Sequence, residues 1–290
     1  MKIDRLIESM ERMANPTALG LDTRAEYLPR SFAGEDSTEG IYRYNCALVD
    51  ALADIIPCVK VQIAYYEMLG PSGIQVFRDT LLYARQKGML TIADVKRNDI
   101  GATAEAYAAA YLGADAPFPA DFVTLNAYLG SDGIVPFLKE CKKNDGGVFI
   151  LVRTSNPSAS EFQDFSVEGR PLYEHVGEKI AQWGEGLMGE CGYSSVGAVV
   201  GATWPEESKK LRKLLPHTFF LVPGYGAQGA TAQDLQGCFD AQGRGAVINA
   251  SRSLLCAHQK QKTDDFVLAA RNEALRMRDE IRSALGGMKA

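Results

Sequence analysis

Leu90-Thr91-Ile92-Ala93-Asp94-Val95-Lys96 is the stretch of sequence that decides the fold. It opens on four apolar or β-branched residues, which are typical of a buried strand, and its charged side chains stand only at the end. After a short turn comes the alanine-rich stretch 100–112, which predicts a helix. A short buried strand followed by a helix is half of a βαβ unit, in which the strands run parallel.

Runs of the same kind recur from one end of the chain to the other. Eight of them are short and rich in β-forming residues, at 17–22, 58–63, 90–96, 122–127, 147–154, 196–203, 219–226 and 245–251. Helical periodicity separates most of them, as at 41–56 and 74–86, and a long helix is predicted at 264–285. Eight such units favour closure into a (β/α)8 TIM barrel, with a doubly wound open sheet as the structural alternative. Since no Pro/Gly/Ser-rich linker divides the chain, we expect residues 1–290 to form a single domain.

The longest irregular stretch of the sequence is 156–170, which is polar and has no clear period. Long stretches of this kind are usually functional lids or disordered insertions. Because this one follows the fifth predicted strand, we expect it to hang over the catalytic face of a barrel.

The composition argues against a nucleic-acid-binding, membrane, secreted or zinc protein. The formal net charge is −5 and no block of five or six basic residues occurs, which argues against a nucleic-acid partner. No apolar run reaches the roughly 18 residues that a membrane helix needs, and residues 1–12 lack the apolar core of a signal peptide. Six cysteines without a C-x-x-C pair, and only three histidines, predict reduced thiols and no zinc site. We therefore expect a cytoplasmic protein without a membrane partner.

Charged side chains stand where several predicted strands end. Asp22 ends the first strand, Lys60 lies within the second, Asp94 and Lys96 end the third, and Asp99 follows in the turn. Asp94 and Lys96 are two residues apart, so both point to the same side of their strand. Because unpaired buried charges are costly, we expect them to pair in an alternating network with Lys60 and Asp99. Asp99 has a second interpretation, as the N-cap of the helix that follows.

The stretch 224–229, Gly-Tyr-Gly-Ala-Gln-Gly, matches G-x-G-x-x-G and follows a predicted strand. A dinucleotide-binding interpretation is disfavoured, because the motif lies late in the chain and the next strand carries no terminal acid for a ribose. Glycines also let backbone N–H groups approach an anion, and the loops after strands seven and eight are the usual phosphate site of a TIM barrel. Arg252, which follows strand eight, offers a planar fork that suits phosphate. The sequence therefore predicts a phosphorylated substrate.

Six segments together resemble the orotidine 5′-phosphate decarboxylases, in particular the longer bacterial branch of that family. The stretch from Asp94 to Thr103 resembles the signature D-x-K-x-x-D-I-x-x-T. The other segments, in the family's order, are 19–22, 58–67, 154–157, 223–229 and 249–252. Two departures are Val61, where proline is common in this branch, and Ser253, where glycine is common; neither removes a functional group.

The resemblance implies a decarboxylase that removes carbon dioxide from orotidine 5′-monophosphate. Asp22 and Lys60 would contact ribose hydroxyls, and Lys60 would also belong to the charge network. Asp94 would lie beside the substrate carboxylate. Lys96 would be the proton donor to C6 of the pyrimidine. No electron-sink cofactor and no metal are implied, so catalysis would be electrostatic.

The resemblance also implies how the rest of the nucleotide is held. Ser155 would hydrogen-bond the pyrimidine, and Gln228 and Arg252 would hold the phosphate. Asp99 and Thr103 would reach into the neighbouring site of a homodimer with shared active sites.

Two alternatives stay open on the sequence. One is a magnesium-dependent sugar-phosphate lyase or decarboxylase of the same suprafamily, which shares D-x-K-x-x-D; the Ile100 to Thr103 continuation and the loops with Ser155 and Gln228 argue against it. The other is a catalytically silent nucleotide-binding protein, which would not need all four charged core residues.

Overall fold

The computed structural model of the chain describes residues 1–32, 36–226 and 229–286. Its strands are β1 Thr17–Leu21, β2 Cys58–Gln62, β3 Leu90–Arg97, β4 Phe122–Leu125, β5 Gly147–Arg153, β6 Ser166–Val167, β7 Arg170–Pro171, β8 Ser194–Val200, β9 Thr218–Val222 and β10 Ala246–Ala250. Eight of them form a closed barrel in the order β1-β10-β9-β8-β5-β4-β3-β2, and every neighbouring pair is parallel. β6 and β7 form a separate antiparallel hairpin. The predicted TIM barrel is confirmed, and the open sheet is excluded.

Helices alternate with the barrel strands and pack against their outward-facing side chains. The α-helices are α1 Lys2–Met13, α2 Ser37–Leu52, α3 Ala64–Glu67, α4 Gly70–Gln86, α5 Gly101–Leu112, α6 Ser131–Asn144, α7 Ser160–Gln163, α8 Leu172–Gly184, α9 Pro205–Leu214, α10 Arg252–Leu255, α11 Ala257–Gln261 and α12 Phe266–Ala284. Short 3-10 turns lie at Ala25–Tyr27, Arg30–Phe32, Pro157–Ala159, Glu185–Leu187 and Gln233–Cys238. The second helix begins earlier than its apolar stripe predicts, because the Asp36 carboxylate caps it by accepting from the Thr38 and Glu39 amides.

The amino end of the barrel is filled by apolar side chains. The rings of Phe122 and Phe149 lie 5.3 Å apart, and that of Phe219 lies 6.5 Å from Phe149. One face of α1 packs into the same cluster with Ile3, Leu6, Ile7 and Met10. The polar strand-end residues are therefore left to meet at the opposite, carboxyl end of the barrel.

Residues 156–170, which we call the β5 loop, follow β5 as expected but are not irregular. They contain the 3-10 turn Pro157–Ala159, helix α7, strand β6 and the first residue of β7. Each of these elements spans only two to four residues. Elements that short leave no measurable periodicity in the sequence, which is why the expectation of an irregular stretch was wrong.

Within the described part of the chain, no helix has both the length and the apolar character of a membrane span. All six cysteines are free thiols, three of them buried and three partly exposed.

Candidate active site

A cleft of about 880 Å³ opens at the carboxyl ends of the barrel strands. Six of the predicted site residues line it: Asp22, Lys60, Asp94, Lys96, Ser155 and Arg252. The structure therefore brings together side chains from the ends of β1, β2, β3, β5 and β10, as the barrel interpretation requires.

Asp94 lies at the centre of a chain of alternating charges. Its Oδ2 accepts a hydrogen bond from Lys60 Nζ at 2.6 Å, and its Oδ1 accepts one from Lys96 Nζ at 2.5 Å. Lys60 Nζ is also 3.5 Å from Asp22 Oδ1. The side chains of Asp22, Lys60, Asp94 and Lys96 thus form a continuous network along the cleft. The Asp94 carboxylate is shared between the two ammonium groups.

Burial and charge act in opposite directions on this network. Burial raises the pKa of Asp94, but the ammonium groups of Lys60 and Lys96 outweigh it and hold that pKa well below its usual range. Burial lowers the pKa of Lys60, but the carboxylates of Asp22 and Asp94 outweigh it and raise that pKa above its ordinary value. Asp94 and Lys60 therefore remain an ion pair at neutral pH, although they are only 6% and 4% exposed.

Two further side chains hold Asp94, and the sequence analysis missed both. Thr124 Oγ1 donates to Asp94 Oδ1 at 2.9 Å, and Gln62 Nε2 donates to Asp94 Oδ2 at 2.9 Å. Gln62 and Asp94 are register partners on β2 and β3, so they lie side by side. The sequence signal for Gln62 is a polar residue within a mostly buried parallel strand, the same signal that marks Lys60.

The backbone at Lys96 has a left-handed conformation, with φ at 44°. The Val95 and Lys96 amides both donate to Thr124 Oγ1 at 2.9 Å, and the register between β3 and β4 shifts between Ala93 and Arg97. A bulge of this kind re-aims side chains near active sites. For a residue with a Cβ atom the conformation costs about 1 kcal/mol, so the end of β3 is strained where it presents the Lys96 ammonium.

Asp99 and Thr103 do not belong to the cleft of their own chain. Asp99 Oδ1 accepts from the Ile100 amide at 2.8 Å, and no ion pair joins it to Lys96 in the described residues. Thr103 is exposed in the first turn of α5. Within one chain Asp99 therefore does not pair with Lys96, and its expected place in the network stays a prediction that requires a second chain. Asp99 is also not the helix cap, since Ile100 occupies that position.

Ser155 is held against the wall of the cleft by its neighbours. A Cβ atom at Gly201 would lie 2.8 Å from both the Cβ and the amide nitrogen of Ser155, so only glycine permits this approach. Thr203 Oγ1 donates to the Ser155 carbonyl at 3.4 Å, and Trp204 Nε1 donates to the Thr154 carbonyl at 2.9 Å. The main chain that presents Ser155 is thus positioned by the segment following β8.

The far end of the cleft carries the exposed guanidinium of Arg252 at the start of α10. The predicted phosphate ligand Gln228 lies outside the described residues. Tyr225, which precedes it in the same loop, is buried and donates through Oη to Glu280 Oε2 of α12 at 2.7 Å. The carboxylate of Glu280 in turn accepts from Arg276 at 2.7 Å, so this loop is anchored to the last helix.

A patch of apolar side chains is exposed beside Asp99. Ile100, Tyr128 and Leu129 are 52%, 82% and 44% exposed. A Cβ atom at Gly133 would lie 2.9 Å from the Asp99 carbonyl oxygen and 3.8 Å from Leu129 Cβ, so the loops after β3 and β4 are adjacent here. Exposed apolar surface of this kind often marks a contact with another protein.

Comparisons with known proteins agree on one family. The sequence profile of the orotidine 5′-phosphate decarboxylase / HUMPS family matches residues 18–264. The curated orotidine 5′-phosphate decarboxylase of Clostridium perfringens strain SM101 is 44% identical over 289 residues, covering 98% of this chain and 99% of the relative. Its namesake in Clostridium kluyveri is 45% identical over 287 residues, covering 97% of each chain. The crystal structure of a candidate orotidine 5′-phosphate decarboxylase from Streptomyces avermitilis superposes with a TM-score of 0.84 at 34% identity, covering 98% of this chain and 95% of that one.

Proposed function

The chain belongs to the orotidine 5′-phosphate decarboxylase / HUMPS family and is a carboxy-lyase, and we propose that it converts orotidine 5′-monophosphate into uridine 5′-monophosphate and carbon dioxide without a cofactor. This reaction is the last step of de novo UMP synthesis. The observation that carries the proposal is the Asp22–Lys60–Asp94–Lys96 network along the cleft. We place the activity in the cytoplasm, where free thiols such as the six found here are usual.

In the proposed reaction Lys96 acts as an electrostatic stabiliser and then as a general acid. The bond between C6 and the carboxylate breaks, carbon dioxide leaves, and the electron pair stays on C6 in the plane of the ring. The Lys96 ammonium stabilises this charge as it develops and transfers one proton to C6. The resulting amine takes a proton back from solvent, since the side chain is 44% exposed.

Asp94 is proposed to face the substrate carboxylate. Two like charges about 4 Å apart repel by roughly 4 kcal/mol at an effective dielectric near 20, and this repulsion disappears as carbon dioxide leaves. Such stress accelerates the reaction only if other contacts keep the substrate in place. We assign those contacts to Asp22 and Lys60 for the ribose, Ser155 for the pyrimidine, and Arg252 with Gln228 for the phosphate.

A single absorbance assay tests this function. The purified protein is expected to consume the orotate chromophore of orotidine 5′-monophosphate at the same rate with and without a metal chelator. Binding without turnover would instead indicate the silent nucleotide-binding protein. Turnover of sugar phosphates that the chelator stops would indicate the magnesium-dependent sister enzyme.

Arg252→Ala is expected to raise KM strongly and to lower kcat/KM for orotidine 5′-monophosphate by about 10- to 100-fold, the loss of one charge-assisted phosphate contact. Activity on orotidine, which has no phosphate, should hardly change, because remote binding energy holds the reacting end in place. Steady-state kinetics on both substrates measure the difference. Arg5→Ala, an exposed arginine on α1 at the other end of the barrel, is the matched control. Equal losses on the two substrates would show that Arg252 is structural.

We also propose a homodimer in which Asp99 and Thr103 of each chain complete the site of the other. Asp99 does not line the cleft of its own chain, and the exposed Ile100 follows it directly, with the exposed Tyr128 and Leu129 on the adjacent loop. A second copy of the chain would cover this surface. In a two-fold dimer the same patch meets itself, so both sites would be completed alike.

Mixing inactive subunits tests the shared site. Lys96→Ala and Asp99→Ala proteins are prepared separately, and their subunits are then allowed to exchange. In a mixed dimer one site inherits both defects, whereas the other combines an intact Lys96 with an intact Asp99. Random pairing should restore roughly a quarter of wild-type activity, since half of the dimers are mixed and each has one complete site. If mass spectrometry shows exchange but activity stays at the sum of the two mutants, Asp99 acts within its own chain.

A further inference from the structure

Arg153 is the last residue of β5 and directly precedes Thr154. It is almost fully buried, with 1% of its surface exposed. Its guanidinium carbon lies 4.2 Å from the ring centroid of Trp204 and 5.3 Å from that of Tyr173. A planar cation stacks well on aromatic faces, but an aromatic cage does not replace the hydrogen bonds lost on burial. The proposed reaction makes no use of this charge.

The acidic partner of Arg153 lies in the β5 loop. Asp164, directly after α7, has Oδ1 2.9 Å from Arg153 Nη1, without hydrogen-bond geometry, and its Oδ2 accepts from Nη2 at 3.4 Å. Nε and Nη1 have no hydrogen-bond acceptor in the part of the chain described. A guanidinium and a carboxylate usually form two parallel short bonds, so this pair is incompletely closed.

Gln163, the last residue of α7, is hydrogen-bonded to Thr154, the residue that precedes Ser155. Gln163 Oε1 accepts from the Thr154 amide at 3.0 Å, and Gln163 Nε2 donates to Thr154 Oγ1 at 2.7 Å. On the other side, Trp204 contacts both groups: its ring stacks on Arg153 while its Nε1 binds the Thr154 carbonyl. The position of the Thr154–Ser155 main chain is therefore tied to where the β5 loop lies relative to Arg153.

We propose that Arg153 and Asp164 are positioning residues whose ion pair holds the β5 loop at the cleft and fixes Ser155 for its contact with the nucleobase. Neither side chain lines the cleft, whereas Gln163 and Ser155 do. When a base draws the loop inward, Asp164 can complete the bidentate pair, and the gain adds to the binding of ligands that carry a base. The inference rests on the proposed function in one respect, namely that the group at Ser155 is a base.

Two ligands separate this role from a general structural one. Uridine 5′-monophosphate carries a base, ribose 5-phosphate does not, and both can be titrated calorimetrically against the wild type and Asp164→Asn. We expect the substitution to weaken binding of uridine 5′-monophosphate by about tenfold, the loss of one charge-assisted hydrogen bond. Binding of ribose 5-phosphate should change less than about twofold, because the phosphate and ribose contacts lie elsewhere in the cleft.

Glu161→Gln is the matched control, since it removes a charge from an exposed residue of α7 that has no partner in the described residues. It should change neither affinity. In an Arg153→Met background, Asp164→Asn should have no further effect; if that background does not fold, the single variants still decide.

Equal binding of uridine 5′-monophosphate by the wild type and Asp164→Asn would overturn this inference alone. Equal weakening of both ligands would overturn it too, because the pair would then act on the fold as a whole. A wild type that binds ribose 5-phosphate but not uridine 5′-monophosphate would overturn the proposed function itself.

Discussion

Lys96→Ala is expected to abolish decarboxylation of orotidine 5′-monophosphate while leaving phosphate-dependent nucleotide binding measurable. The Lys96 ammonium is the cation of the network that faces the open cleft, because Lys60 is buried between Asp22 and Asp94. In the proposed reaction the substitution removes both the stabilisation of charge at C6 and the proton donor. These effects together correspond to a loss on the order of 10⁴-fold or more in kcat.

Turnover should be followed by absorbance at high enzyme concentration, and binding of uridine 5′-monophosphate by calorimetry. Lys143→Ala, which removes an exposed ammonium from the last turn of α6, controls for the loss of a positive charge. A Lys96→Ala protein that kept turnover within tenfold of the wild type would show that another group donates the proton.

Asp94→Asn should be both inactive and less stable. The change removes the carboxylate shared by two ammonium groups and leaves the buried Lys60 with Asp22 alone, at 3.5 Å. Breaking a buried pair by removing one partner costs about 3–5 kcal/mol, and because Asp22 remains we expect about 3 kcal/mol in the free energy of unfolding. Turnover should fall by at least about 100-fold, since Lys96 loses the partner that orients it.

The stabilising contribution of Asp94 to the free energy of unfolding depends on pH. The pKa of Asp94 is lowered in the folded chain, so its contribution to stability is complete above the ordinary carboxyl pKa of about 4 and is lost as the pH falls below that value. The wild type and Asp94→Asn should therefore differ fully at pH 7 and less at pH 3 in urea unfolding. Asp22→Asn, which removes a more exposed and more distant carboxylate, should have less than half the effect at pH 7. Equal unfolding free energies of Asp94→Asn and wild type at pH 7 would contradict this account.

The strands and the charged centre could be predicted because their signals are local. The runs at 58–63 and 90–96 agree with β2 and β3 to within one residue, and the two-residue spacing placed Asp94 and Lys96 on one side of a strand. Burial of a parallel strand leaves an apolar run, and a charged residue within that run stands out against it.

What the sequence analysis missed depends on contacts between distant segments. Gln62 and Thr124 reach Asp94 from the two strands on either side of β3, and only the register of the barrel shows which residues lie opposite each other. The ion pair of Arg153 with Asp164 likewise spans β5 and the loop that follows α7. The role proposed for Asp99 requires a second chain, so neither the sequence pattern nor a single barrel decides it.

At position 96 the left-handed backbone places the stability of the fold and the proposed activity in conflict. Glycine would adopt that conformation without the steric penalty and would be the choice of any search for stabilising substitutions, yet it carries no ammonium. The reaction proposed for Lys96 needs that ammonium, so glycine would relieve the strain only by removing the proposed proton donor. An engineer who raises the thermal stability of this chain should therefore leave position 96 unchanged and look for gains on the outer helices.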